Sequence, residues 1–260
     1  MIVLKSAAEI EQMAAAGAVV VATLAALEEA LEPGISMREL DRIGEEVIRS
    51  FGGAPTSKGY PGTKESGPFP AAICISPNDM IVHGIPGDYE AQEGDIISCD
   101  VGVTLDGLIA DSAATFAVGE ISAEAQRLLD ICEESLEAGI AAAQPGAEVG
   151  DISQAVQSVV EGAGFSVVRA LVGHGVGRAY HEDPQVPNFV SSYRGPVLRP
   201  GMTIAIEPMI TAGGHAVHVH ADGWSISTDD GSLTAHFEHT VAITTDGQRV
   251  LTKAAGVLVP

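Results

Sequence analysis

Asp95-Ile96-Ile97-Ser98-Cys99-Asp100-Val101-Gly102-Val103 is an apolar, β-rich run that leads into Asp106-Gly107, after which a second such run extends from Leu108 to Val118. Asp-Gly between two alternating runs is a strong signal for a two-residue hairpin turn, because both turn positions need a positive φ. With that turn fixed, Leu105 faces Leu108, Gly102 faces Asp111 and Ala113 faces Asp100. Asp100 and Asp111 then lie diagonally on one face of the hairpin, about 7–8 Å apart at the backbone. Two carboxylates so close in apolar surroundings repel each other unless a cation lies between them. The apolar flanks argue against a merely solvated acidic face.

The chain repeats this pattern further on. Gly94 precedes Asp100 by six residues, and Gly201 precedes Glu207 by six, a displacement of 107. Pro33-Gly34 is followed by Leu40, Ile43 and Val47; Pro145-Gly146 is followed at the same offsets by Ile152, Ala155 and Val159, a displacement of 112. Both helical stretches end in Gly and Phe, at Phe51-Gly52-Gly53 and Gly162-Ala163-Gly164-Phe165. The sequence therefore predicts two similar halves, each of helix, helix and hairpin, with a site at their junction drawing ligands from both. Chance similarity of amphipathic patterns is the simpler alternative. The expected unit is one catalytic domain over residues 1–260, with halves near 1–125 and 126–260. Hydrophobic residues make up 46% of it, enough for a sizeable core, and no low-complexity linker divides it.

Other features narrow the function. Ser6-x-x-Glu9 predicts a capping box, and Ile10, Met13, Gly17, Val20, Leu24, Leu27 and Leu31 recur at helical spacing. The apolar run Ala14 to Ala26 has acidic flanks and no basic leader, so it is expected to be a core-packed helix and neither a signal nor a membrane span. A net charge of −22 repels phosphate backbones, so no direct nucleic-acid partner is expected. Cys74, Cys99 and Cys132 are odd in number and scattered, which indicates a reducing, cytoplasmic setting.

Five residues form a candidate donor set for two divalent ions: Asp100, Asp111, His174, Glu207 and Glu238. Four carboxylates match four positive charges, and a pair of ions roughly 3.5–4 Å apart is a common means of activating water against an amide. Gly173-His174-Gly175-Val176-Gly177 is too glycine-rich for a zincin helix, and its glycines allow close backbone approach. His181 follows seven residues later, and His83 also lies beside glycine, in Val82-His83-Gly84-Ile85-Pro86. His215, His218, His220 and His236 lack such a setting and read as exposed or structural.

Taken in order, Val82-His83-Gly84-Ile85-Pro86, Asp100 with Asp111, Gly173 to Gly177 through His181-Glu182-Asp183-Pro184-Gln185-Val186, Ile206-Glu207-Pro208-Met209 and Phe237-Glu238-His239-Thr240 resemble the methionine aminopeptidases. The resemblance spans almost the whole chain. It implies an α/β (α+β) pita-bread fold: two pseudo-symmetric halves, with a curved antiparallel sheet and helices on its outer face. It makes Asp100, Asp111, His174, Glu207 and Glu238 the ligands of two divalent metal ions, with Co, Mn, Fe and Zn all suited to such donors. It assigns His83 and His181 to substrate contact and the tetrahedral intermediate, and Glu207 to proton transfer. A water acidified by the ions would attack the first peptide bond of a nascent or peptide N-terminus when the second residue is small. Phe69, Cys74 and Trp224 are the expected walls of the methionine pocket. The family works near the ribosome, although the acidic charge gives no support for strong rRNA contact; a monomer is expected. His181 and Glu207 are only 26 positions apart, which leaves no room for the type II helical insertion, so the chain resembles the short bacterial type I enzymes. It departs from the family pattern between Tyr60 and Ala72. The competing readings are an X-Pro peptidase, whose extra N-terminal domain is not seen here, and a metal-free peptide-binding relative, which would lack some of the five donors.

Overall fold

A computed structural model describes residues 1–253; the last seven residues of the expected second half lie outside the described ones. In the first half, α1 (Ala7–Ala30) and α2 (Met37–Ser50) precede β1 (Ala54–Pro55), β2 (Cys74–Pro77), β3 (Met80–Val82), β4 (Ile96–Leu105) and β5 (Leu108–Ala117). In the second half, α3 (Ala123–Ala142) and α4 (Val149–Gly162) precede β6 (Ser166–Val167), β7 (Gly173–Gly175), β8 (Glu182–Val186), β9 (Thr203–Ile206) and β10 (Met209–Thr211). Then follow β11 (Val217–Val219), β12 (Ile226–Thr228), β13 (Thr234–His236), β14 (His239–Thr244) and β15 (Gly247–Val250). No helix interrupts the segment between His181 and Glu207.

The β4–β5 hairpin has the expected register, with Leu105 opposite Leu108, Gly102 opposite Asp111 and Asp100 opposite Ala113. Asp106 and Gly107 both have positive φ, 50° and 81°, as a type I′ turn requires. The capping box at Ser6 and Glu9 is also present. The helix it starts runs 24 residues, longer than the apolar run at its centre, and is long and apolar enough to cross a membrane by length and composition alone. Nevertheless Met13, Ala16, Val20 and Leu27 are fully buried against the protein, as a core helix requires. Leu31 falls just outside it, at the C-cap.

The internal echo is real at the helices: α2 and α4 start and end 112 residues apart, and β4 and β9 start 107 apart. Each half has its own core. One packs α1 and α2 residues with Ile97, Val101 and Val103; the other packs α3 and α4 residues with Ile204, Ile206 and Val241. Ile10, Met13, Ile109, Val176 and Ala242 bridge them. The expected second hairpin is not formed. β9 pairs with β14, placing Ile206 opposite His239, and β10 pairs with β13, placing Met209 opposite His236. Pro208 has no N–H to donate to the ladder, and the ribbon breaks there. Both strands lapse at the same level, where Glu207 and Glu238 stand opposite each other.

Candidate metal centre

The two halves are joined along one edge of β5. Thr240 Oγ1 donates to Asp111 O (2.8 Å) and accepts from Asp111 N (2.9 Å). Glu238 N donates to Ala113 O at 2.9 Å, and Ser112 Oγ donates to Glu238 O. Thr115 Oγ1 donates to His236 O and accepts from His236 N, both at 2.9 Å. This seam brings Asp111 from one half to Glu238 from the other.

His174, on β7, completes the approach. Its Nδ1 donates to Gly175 O at 2.9 Å, which fixes the tautomer and leaves Nε2 with a free lone pair. That Nε2 lies 3.4 Å from Glu207 Oε1 and 3.9 Å from Asp111 Oδ2. Donor atoms of Asp111, His174 and Glu238 all lie within 4.8 Å of one another. Asp100 and Glu207 line the same cavity of about 270 Å³. All five predicted donors therefore converge.

The electrostatics of this cluster call for cations. Burial pushes the Asp100 carboxyl up to about 6. Burial first, and then the charge of Asp100, raises Asp111 well above its ordinary value. Burial and the neighbouring carboxylates likewise raise Glu207 and Glu238. Asp100 Oδ1, Glu207 Oε1 and Glu238 Oε1 are sealed from solvent without a hydrogen-bond partner. Unpartnered buried acceptors are costly, and divalent ions would satisfy them. Oxygen donors with one imidazole suit first-row divalent metals. The residues fit the implied ions.

Around the acids lies a ring of imidazole and phenol groups. The His181 ring centroid is 4.2 Å from that of His174, and His181 Nδ1 is hydrogen-bonded to Tyr60 OH at 2.7 Å. Tyr180 OH donates to Asp111 Oδ1 at 3.4 Å and is 3.1 Å from Ser57 Oγ. His83 has a φ of +57°, strained for a non-glycine residue. Burial holds His83 at about 4 and His174 at about 3, and it lowers His181; all three are neutral near pH 7. Phe69, Cys74 and Trp224 meet in one apolar cluster with Tyr60 and Ile85. Phe69 and Trp224 pack edge to face, 5.3 Å between centroids. The three expected wall residues are therefore adjacent, and Tyr60, from the divergent stretch, packs beside them.

Of the two readings offered for His236, exposed or structural, burial removes the first. The residue lines the cavity and places Nε2 3.8 Å from Glu207 Oε2 with no hydrogen-bond partner. Burial holds it neutral, at about 3. β13 ends at His236 and Glu238 lies in the break before β14, so no strand alternation in the sequence links the two. Tyr180 was also passed over, although it adjoins His181.

Buried carboxylates around a bare imidazole nitrogen, at the junction of two related halves, define a metallopeptidase centre. Residues 11–245 match metallopeptidase family M24, and the chain belongs to that family. It is 50% identical over 252 residues to the methionine aminopeptidase of Clostridium perfringens, covering 97% of this chain and 99% of that protein. It is 47% identical to methionine aminopeptidase 1 of Bacillus subtilis, covering 97% of this chain and 100% of that protein. The crystal structure of methionine aminopeptidase from Thermotoga maritima superposes with a TM-score of 0.93 at 42% identity, covering 98% of this chain and 100% of that one. The fold is the pita-bread fold expected from the sequence.

Proposed function

We propose that the protein is a methionine aminopeptidase that removes the N-terminal methionine of nascent proteins and peptides when the second residue is small. The observation that carries this is the convergence of Asp111, His174 and Glu238 donor atoms within 4.8 Å, across the seam of the two halves. The names of the relatives support the substrate.

Asp100, Asp111, His174, Glu207 and Glu238 would hold two divalent ions. Such a pair supplies an acidified water and polarises the scissile carbonyl. The chain's own groups do the rest. Glu207 takes the proton of the attacking water and passes it to the leaving amine. His181, its Nδ1 engaged by Tyr60, and His83 steady the oxyanion of the tetrahedral intermediate. Phe69, Cys74, Trp224 and Tyr60 enclose the methionine side chain away from water. The preference for a small second residue rests on the family resemblance; the glycines at 173, 175 and 177, with Gly84, instead let the chain's own Ala205, Asp183, Lys5 and Ile75 approach.

The remaining assignments belong to the same reading: a single catalytic domain, monomeric, cytoplasmic, close to the ribosome during synthesis, with no direct nucleic-acid or membrane contact. The test is hydrolysis of Met-X-Ser tripeptides after chelation and stepwise readdition of Mn, Fe, Co or Zn. Rapid cleavage is expected for X = Gly, Ala, Ser, Thr, Pro, Val or Cys, and slow cleavage for Lys, Leu, Phe or Glu. Equal rates on Met-Ala-Ser and Met-Phe-Ser would remove size selection, and undiminished activity after chelation would remove the metal.

A further inference from the structure

Among the described residues, one ion pair is sealed from solvent and lies outside the acidic cluster. Lys5 Nζ meets Glu182 Oε2, and the two side chains are 1% and 6% exposed. Glu182 is the residue after His181. Its other oxygen, Oε1, accepts from the backbone N–H of Arg178 at 2.7 Å and of Ala179 at 3.0 Å. One oxygen thus shapes the turn that delivers Tyr180 and His181 into the cavity, and the other ties that turn to the N-terminal segment. Lys5 is itself held, its N–H donating to Gly201 O at 2.7 Å and its Nζ to Val3 O at 3.3 Å. Gly177, at the start of the turn, has a φ of +151°. A Cβ there would collide with Lys5 Cε, so the lysine stem packs directly on the turn.

Buried ion pairs contribute little net stability compared with apolar groups of the same shape, but removing one partner strands the other charge. The use of this pair is therefore better sought in what it holds. We propose that Lys5 is a positioning residue for His181, acting through Glu182. The inference rests on the reading that His181 serves the scissile carbonyl. It adds a residue far from the reacting atoms to the machinery of that step.

The test uses the full-length, metal-loaded enzyme and Met-Ala-Ser. Lys5→Met should lower kcat by about 10- to 100-fold, the scale of a 1 Å misplacement, with KM within about twofold. Bound metal should be unchanged. In Lys5→Met/Glu182→Gln the neutral carboxamide still accepts both backbone N–H groups, so kcat should recover to within about threefold of the parent. In a His181→Ala background Lys5→Met should cost less than about twofold, because coupled residues are not additive. An equal loss with and without His181, or a loss confined to KM, would overturn the proposal while leaving the peptidase reading intact. Failure of the unaltered enzyme on Met-Ala-Ser would instead refute the peptidase reading. If Lys5→Met does not fold, Lys5→Arg takes its place, because its planar head cannot occupy the closed space beside Gly177. A lowered kcat should then accompany a shift of the His181 ring resonance, identified by its absence in His181→Ala; an unmoved resonance overturns the proposal.

Discussion

Replacing Gly102 by Ala should damage both stability and catalysis, although alanine is the better strand residue. Gly102 lies on β4 opposite Asp111, under the ring of Tyr180. An alanine Cβ there would lie 2.6 Å from Tyr180 Cζ and 2.9 Å from Cε2. The Tyr180 hydroxyl oxygen would be closer still, and ordinary contact begins near 3.4 Å, so the ring must retreat by about 1 Å. That breaks the Tyr180 bonds to Ser57 and Asp111, at 3.1 and 3.4 Å. Overpacking costs about 1–3 kcal/mol, and a stranded buried hydroxyl adds about 1 kcal/mol. The removal of glycine from a strand returns only about 0.5–1 kcal/mol. The net loss is about 1–3 kcal/mol, a fall in Tm of roughly 3–10 °C for a chain of this length. The His181 ring is 4.9 Å from that of Tyr180 and moves with it, so kcat/KM on Met-Ala-Ser should drop about 10- to 100-fold. Thermal melts and steady-state kinetics measure both effects. In a Tyr180→Ala background the same glycine substitution should be neutral or stabilising. A Gly102→Ala protein that melts no lower than the parent and cleaves normally would show that Tyr180 is not held against β4.

Glu207→Gln and Asp111→Asn should each abolish turnover with the fold intact by circular dichroism, since each removes a charged oxygen from a site that needs neutralising carboxylates; full activity in either would sink the dinuclear centre. His181→Ala should lower kcat by about 10²–10³ with metal content unchanged by elemental analysis, and lost metal would make it a ligand instead. Metal-free protein should lose stability as pH rises above the unfolded histidine value near 6.5. The carboxyls of Asp111, Glu207 and Glu238 are raised well above their ordinary values, so they ionise more readily in the unfolded chain, and unfolding releases protons through that window. The neutral imidazoles of His83 at about 4 and His174 and His236 at about 3 act in the opposite sense, but only below the unfolded histidine value near 6.5. A chelated sample whose melting point, relative to the metal-loaded one, stays level as pH rises above about 6.5 would contradict the carboxylate assignment.

Local patterns could be read to the residue. The Asp106-Gly107 turn fixed a ten-pair register, because both φ values are set by two adjacent residues. The repeated Pro-Gly and apolar offsets foretold α2 and α4 with matching boundaries. Pairing across long sequence gaps was not legible in the same way. The partner of β9 lies some thirty residues on, in β14, and no local signal separates it from the nearer β10. The burial of His236 was illegible for the same reason. Its burial depends on β10 and on Thr115 of the other half, so a three-residue strand gave no hint of it. The proposed methionine pocket falls between these extremes. Phe69, Cys74 and Trp224 were identifiable as types, but Tyr60 was placed by the return of the chain through Phe69 N–H to Tyr60 O, at 2.9 Å.

The seam between the halves is held by a handful of hydroxyl and amide bonds, and the acids stand on the same strands. An ion bound there would act as a rivet as well as a reagent. It would fasten one half to the other, so part of its binding energy would appear as resistance to the halves parting. Amide exchange at Asp111, His236, Glu238 and Thr240 would then gauge occupancy without any substrate, fast in chelated protein and slow once the rivet is set. The ion that best suits the reaction need not be the one that clamps hardest, and the organism would experience that difference as a compromise between rate and durability.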